Sequence, residues 1–241
     1  MNVNIFFRKL FRFRQPIVKI DSIFSRSGDT HAIVSGLSID PRHGNGLKAI
    51  ESGLVRAKSN NEFIHLYGHN ISTQKDPFSI TSEYLSKLFT LIQSHNLPIL
   101  SYEQWRITKQ KSGVVLSFDD NFIDSWHSNL GVFSNFKASS TFFVCKPQQL
   151  TNRQIQKLKT IQNQGHEIGC HGAMHIKAAD YIKRNSLLGY IGTEIEPSIR
   201  HLKDAGFSCQ SFSYPFGSHT DETDRVLPKY FSTIRCSSYS L

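Results

Sequence analysis

No apolar run in this chain approaches the roughly 20 consecutive residues that a membrane-spanning helix needs. Cysteine is scarce: Cys145, Cys170, Cys209 and Cys236 are the only four, and none stands in C-x-x-C spacing. In a chain of 241 residues that excludes a dense disulfide scaffold, and the four are expected as buried small hydrophobes, a usage that leans toward a reducing compartment. Internal repeats and low-complexity linkers are also missing, so a single domain is expected over residues 21–241. Acidic side chains are absent from the first 20 positions, which carry Arg8, Lys9, Arg12, Arg14 and Lys19. Those charges interrupt Ile5, Phe6, Phe7, Leu10, Phe11 and Phe13, so the segment is not a signal-peptide core. It is expected as a basic aromatic arm that either docks on the domain or makes peripheral contact with an anionic membrane. With no signal peptide or spanning helix, a cytoplasmic or peripheral-membrane location is favoured.

What is present is ordinary globular composition, with 39% hydrophobic and 20% charged residues. The net charge of +9 favours acidic partners, whether nucleic acid, an anionic membrane or an anionic glycan. No nucleic-acid-binding motif accompanies the charge, so nucleic acid is not expected as a partner. Short apolar runs alternate with amphipathic stretches. Strands are expected at 32–39, 63–67, 97–100, 113–118, 140–145, 167–170, 207–214 and 231–235. Helices are expected at 46–58, 81–95, 122–136, 151–164, 181–205 and 219–229. Such alternation implies an α/β fold of parallel strands with helices outside them, as an open sheet or a barrel. Polar residues at the strand ends then face one mouth.

Three clusters at expected strand ends carry chemistry. Asp119 and Asp120 close the apolar strand GVVLSF, where two adjacent carboxylates need a positive partner such as a metal ion. Neighbouring side chains diverge along an extended backbone, so one Asp could ligate while the other faces a water; the alternative is a helix N-cap. His171 and His175 are four apart, which on a helical turn would put both imidazoles on one side, as zinc ligation requires. With one Asp they would form a three-ligand site that leaves a coordination position open; the alternative is a pair of surface histidines among eleven. Phe212-Ser213-Tyr214-Pro215-Phe216-Gly217 ends a further strand in a turn, which can simply stop the strand or present backbone N–H groups to an oxyanion.

In order, SFDDN at 117–121, HGAMH at 171–175 and SYPFG at 213–217 resemble the three motifs of the polysaccharide deacetylases, carbohydrate esterase family 4. ASSTFFV at 138–144 and GHEIGCH at 165–171 also resemble that family's text, so the likeness covers roughly residues 112–236. The resemblance implies a distorted NodB-like (β/α) barrel of about seven strands. It implies a metal-dependent hydrolase that removes N-acetyl or O-acetyl groups from an acetylated glycan or glycolipid, with the positive charge favouring an anionic or lipid-linked one. It makes Asp119 the general base and gives Asp120, His171 and His175 a divalent ion, zinc first, with cobalt, nickel or iron also suited. It places the oxyanion at the turn of Tyr214 and Pro215, on the main-chain N–H of Tyr214. The family's late Leu-x-His motif, whose histidine is the general acid, is missing after Arg235. FIHLYGHNIS at 63–72 resembles the corresponding segment of circularly permuted members, which makes His69 the acid, with His65 on the same strand as the alternative. Tyr67 stands for the motif's leucine, Asn121 for a glycine, and Ser213 for the arginine that usually braces the base. The last departure motivates a second reading, a catalytically inactive carbohydrate-binding protein on the same barrel.

Overall fold

The computed structural model describes residues 20–29, 33–74 and 76–238. The arm expected at residues 1–20 falls, but for its last position, outside them. The strands are β1 (Phe24–Ser25), β2 (Ile33–Ser38), β3 (Phe63–Gly68), β4 (Asn70–Ile71), β5 (Ser79–Ile80), β6 (Ile99–Leu100), β7 (Gly113–Asp120), β8 (Thr141–Val144), β9 (Glu167–Cys170), β10 (Ser211–Ser213) and β11 (Thr233–Ser238). The α-helices are α1 (Leu47–Asn60), α2 (Ser82–Ser94), α3 (Tyr102–Ile107), α4 (Ile123–Ser128), α5 (Leu130–Asn135), α6 (Asn152–Asn163), α7 (Ala178–Arg184), α8 (Leu187–Tyr190), α9 (Glu196–Asp204) and α10 (Asp221–Val226).

The long helices form where amphipathic spacing and end signals coincide. Thr81 caps α2 by accepting from the N–H of Tyr84, and Leu85, Leu88, Phe89 and Ile92 bury its apolar face. Thr151 and Gln154 form a reciprocal capping box at the start of α6. Where the sequence pattern suggested one helix over 181–205, the chain breaks at Asn185 (φ −128°, ψ −110°), Ser186 caps α8, and a π-turn over Ile191–Ile195 leads into α9. The stretch 122–136 likewise divides at Asn129 into α4 and α5. Strand β10 is shorter than the expected 207–214, since Cys209 takes a left-handed conformation (φ 52°) before it.

Strands β2, β3, β7, β8, β9, β10 and β11 pair in that order, all parallel, and β11 returns to β2, closing a seven-stranded barrel. Its longest seam before that return is β3–β7, from Phe63↔Gly113 to Gly68↔Phe118. Its thinnest is β9–β10, with the single pair Cys170↔Phe212. Strand alternation sorts the side chains. Val114, Leu116 and Phe118 of β7 face outward into the apolar layer under the helices, together with Phe142, Ile168 and Phe212. Val115 faces inward with Val34, Phe63 and Phe143.

Helix α3, which the sequence reading left out, fills the lower end of the barrel. At six residues it is too short to show a period, and its cue is the Ser101–Gln104 capping box. Tyr102 and Trp105 join the inner apolar cluster. Arg106 donates to Ser211 Oγ (2.8 Å) and Thr233 Oγ1 (3.1 Å). Buried Glu167 accepts from Thr141 Oγ1 (2.7 Å), Ser211 Oγ (2.6 Å) and the N–H of Glu103 (2.7 Å). All four cysteines are buried and free, as expected of small hydrophobes. Among the described residues, no helix is long and apolar enough to cross a membrane.

Two buried histidines lie away from the barrel mouth. His65 packs against Tyr102 and Trp105 with Nε2 at 2.7 Å from Ser25 Oγ, and burial beside Arg235 pushes its pKa down to about 3. His166 packs on Phe133 and Phe142, accepts from the Ser140 N–H at 3.2 Å, and is lowered by burial to about 4. Both stay neutral in the fold while their unfolded counterparts protonate below about pH 6.5. The unfolded chain therefore takes up more protons in this window, and stability falls as pH drops from 6.5 toward 4. Urea midpoints measured between pH 7 and 4.5 will show this fall, with a shallower slope in His166→Gln. An unchanged slope in that variant would remove His166 from the account.

Candidate metal centre and active site

The mouth of the barrel is where the C-terminal ends of β2, β3, β7, β9 and β10 bring polar side chains together. Asp119 continues the inward alternation of β7 and is buried. Asp120, the next residue, would point the other way on a regular strand. Its φ of 81° turns it instead, so that its carboxylate also reaches the mouth. The left-handed residue here is Asp120 rather than Asn121, the residue standing for the family's glycine.

The His171–His175 pair does not lie on a helical turn as its spacing suggested. The segment after β9 is irregular, with Gly172 at φ 85° and His175 at φ 62°. Glu194, in the π-turn, holds it. Its buried carboxylate accepts from the N–H of Met174 (2.6 Å) and of Ile176 (2.7 Å), and its carbonyl accepts from Ala173 (3.0 Å). A Cβ on Gly172 would stand 2.1 Å from Glu194 Oε1, so only glycine admits this packing. π-turns inside helical stretches recur at functional sites, and this one aims a carboxylate at the loop of His171 and His175.

These two loops bring one oxygen and two nitrogens into a small triangle. Asp120 Oδ1 lies 3.2 Å from His175 Nε2 and 3.6 Å from His171 Nε2, and the two Nε2 atoms are 3.3 Å apart. Tetrahedral ligands about 2.0–2.1 Å from a zinc ion would stand about 3.3 Å from one another, so the residues fit such an ion. The chemistry of the donors agrees. His171 donates Nδ1–H to the Ser213 carbonyl at 2.8 Å, which fixes the tautomer with Nε2 as a lone pair. Burial pushes the His171 pKa down to about 4, so the ring is neutral. Burial acts to raise Asp120, but the hydrogen bond to His175 and the fields of His171 and His69 outweigh it and hold the carboxylate at about 2.

Beside the triangle, Asp119 Oδ2 accepts from the fully buried Arg235 guanidinium and lies 3.4 Å from Ser213 Oγ. Its Oδ1 is buried with no hydrogen-bond partner among the described residues. Across the mouth, His69 Nδ1 donates to Asp40 Oδ2 at 2.6 Å. Burial works against protonation of His69, but the hydrogen bond to Asp40 and the fields of Asp119, Asp40 and Asp120 prevail and raise its pKa. The Trp126 indole donates to the His69 carbonyl at 2.7 Å and anchors its backbone. His65, the alternative, is instead sealed in the barrel interior on Ser25.

Asp40 and Glu194 escaped the sequence reading. For Asp40 the available signal was a carboxylate ending strand AIVSGLSI just before a proline; for Glu194 nothing distinguished it from a solvated helix face. The turn after β10 requires a correction. The Tyr214 N–H already donates to the Arg235 carbonyl at 2.9 Å, and Pro215 has no N–H, so neither can supply the expected oxyanion donor. The parallel ladder consumes that donor, and the Tyr214 hydroxyl bonds away to Asp224 Oδ1 at 2.8 Å.

A closed parallel barrel with helices outside is the NodB-like (β/α) barrel, here with a carboxylate-histidine cluster at one mouth. The family model described as polysaccharide deacetylase matches residues 106–230, just over half of the chain, and the chain belongs to that family. The match begins beyond β2 and β3, whose ends carry Asp40 and His69. No curated protein sequence matches the chain. Among solved structures it is similar to IcaB from Ammonifex degensii, at 16% identity and a TM-score of 0.61 over 74% of this chain and 86% of that one. It is also similar to the Streptococcus pyogenes deacetylase PplD in complex with acetate, at 14% identity and a TM-score of 0.55 over 73% and 91%. A third is the BpsB deacetylase domain from Bordetella bronchiseptica, at 15% and 0.52 over 73% and 94%. At these identities the likeness is one of fold.

If Glu194 positions the histidine loop, Glu194→Gln will lose one of the two N–H contacts and loosen the site. The expected result is about 10–100-fold weaker retention of zinc in a chelator competition, the range for groups that orient ligands. Unchanged retention would show that the loop holds its shape without the carboxylate.

Proposed function

We propose that the chain is a metal-dependent deacetylase that removes an N-acetyl group, or an O-acetyl group, from a glycan or glycolipid sugar. The observation that carries this reading is the Asp120–His171–His175 triangle, set between a clamped carboxylate on one side and a carboxylate-bound histidine on the other. The three ligands suit zinc, and also cobalt, nickel or iron. A divalent ion there would supply Lewis acidity, polarising the acetyl carbonyl and making a water more acidic.

The chain's own residues divide the proton work. Arg235 holds Oδ2 of Asp119, which leaves Oδ1 to take a proton from the attacking water. Oxygen adds to the acetyl carbon and the carbon–nitrogen bond breaks. Asp40 occupies Nδ1 of His69, so Nε2 is the nitrogen that delivers a proton to the departing amine. Burial opposes the protonated form of His69, and the hydrogen bond to Asp40 with the surrounding carboxylates raises its pKa in favour of it. Acetate and the free amino sugar are the products. The net positive charge favours an anionic or lipid-linked glycan. The inactive-barrel reading rests on Ser213, and the guanidinium against Asp119 supports the catalytic reading over it.

Metal content by mass spectrometry tests the centre. About one divalent ion per wild-type chain is expected, and none in His171→Ala/His175→Ala. Asp119→Asn should keep the metal and lose about 10²–10⁴-fold in acetate release, the usual worth of a general base. Absence of metal from wild-type protein supplied with zinc would overturn the mechanism, and undiminished turnover in Asp119→Asn would overturn the role of that carboxylate.

A further inference from the structure

We infer that Arg235 is the positioning residue for Asp119, taking over from the next strand the place of the arginine that the family carries where this chain has Ser213. The inference rests on the reading of Asp119 as the base. Strands β10 and β11 run parallel with Ser213 and Arg235 as direct register partners, so a side chain on one can cover the ground of the other. The guanidinium donates to both Asp119 Oδ2 and Ser213 Oγ. The serine is thus the small residue that leaves room for the incoming cation and accepts one of its hydrogens.

The remainder of the seat is built for the same cation. Arg235 is wholly buried, where an unpaired guanidinium would not be tolerated. Its Cζ lies 4.3 Å from the centroid of Tyr67 and 5.6 Å from that of Phe143, so aromatic faces replace water around it. Tyr67 is the residue that stands for the leucine of the acid-histidine motif, and a leucine offers no such face. Gly36 of β2 faces inward beside them, and a Cβ there would lie 3.0 Å from Arg235 Cδ and 3.0 Å from Tyr67 Cδ1. Two departures from the family pattern, Ser213 and Tyr67, therefore have one cause, together with a glycine that clears the path of the arginine stem. The base is thus braced from the other side of a ladder.

The test is an exchange across the register pair, with wild type, Arg235→Met, Tyr67→Leu and the double variant Arg235→Ser/Ser213→Arg. In acetate release, Arg235→Met should lose about 10²-fold in kcat, the effect of displacing a reacting group by about 1 Å, with KM and metal content unchanged. Tyr67→Leu should lose part of that, and the exchanged pair should recover most of it. A kcat for Arg235→Met close to wild type would overturn the inference. So would an exchanged pair that is folded and metal-loaded yet no faster than Arg235→Met. A second readout needs no substrate. The urea midpoints of Arg235→Met, Asp119→Asn and their combination form a cycle in which the combined loss should be smaller than the two single losses added. Additive losses would overturn the brace. A wild type that releases no acetate, with a non-additive cycle, would count against the deacetylase reading and leave the brace standing.

Discussion

The seam between β3 and β7 is the constraint on which the rest depends. Each residue from Phe63 to Gly68 is paired with one from Gly113 to Phe118. Forming it requires a long loop to close, so it is stabilised by what it buries: Ile64, Leu66, Val114, Leu116 and Phe118 in the outer layer and Phe63 and Val115 within. The seam turns a twisted sheet into a barrel and sets Tyr67 beside Ser117. His69, which follows β3, and the carboxylates that end β7 thereby share a mouth. Lengthening β7 by one residue would turn Asp119 outward, since alternation fixes which face each position takes.

The buried charges of the mouth and of the plug beneath it each face a specific partner. Arg235 faces Asp119, His69 faces Asp40, and the histidines face Asp120. Glu194 is answered by two backbone N–H groups and Glu167 by hydroxyls, a backbone N–H and Arg106. Charges so buried contribute little net stability compared with apolar residues of similar volume, and removing one partner leaves the other stranded at a cost of about 3–5 kcal/mol. The arrangement serves placement of groups more than stability of the fold.

Much of this was legible in the sequence because the signals were local. The strand GVVLSF, the helix with Leu85, Leu88 and Ile92, and the motif text around Asp119, His171 and His175 each carry their own period or spacing. The class of barrel followed from the resemblance, which the closed seven-stranded ladder bears out. Less legible were features created by pairing between distant segments. Arg235 looked like the end of a last strand, and only its register with Ser213 shows what it replaces. Asp40 becomes meaningful only once β2 and β3 lie side by side. The conformation of the His171–His175 loop was misread because four-residue spacing is the same in a helix and in a loop bent by positive φ. The Tyr214 N–H was misassigned because a sequence does not show which donors the ladder consumes.

The plug of α3 has a further consequence. Tyr102, Trp105, Phe63 and Phe143 close the interior beneath the site, and Arg106 ties the plug to Ser211 and Thr233. The barrel is thus a cup and not a tunnel. Nothing can be threaded through it, and the carboxylates are reached from the rim alone. Whatever enters the cup has to leave by the way it came, so arrival and release share a single doorway.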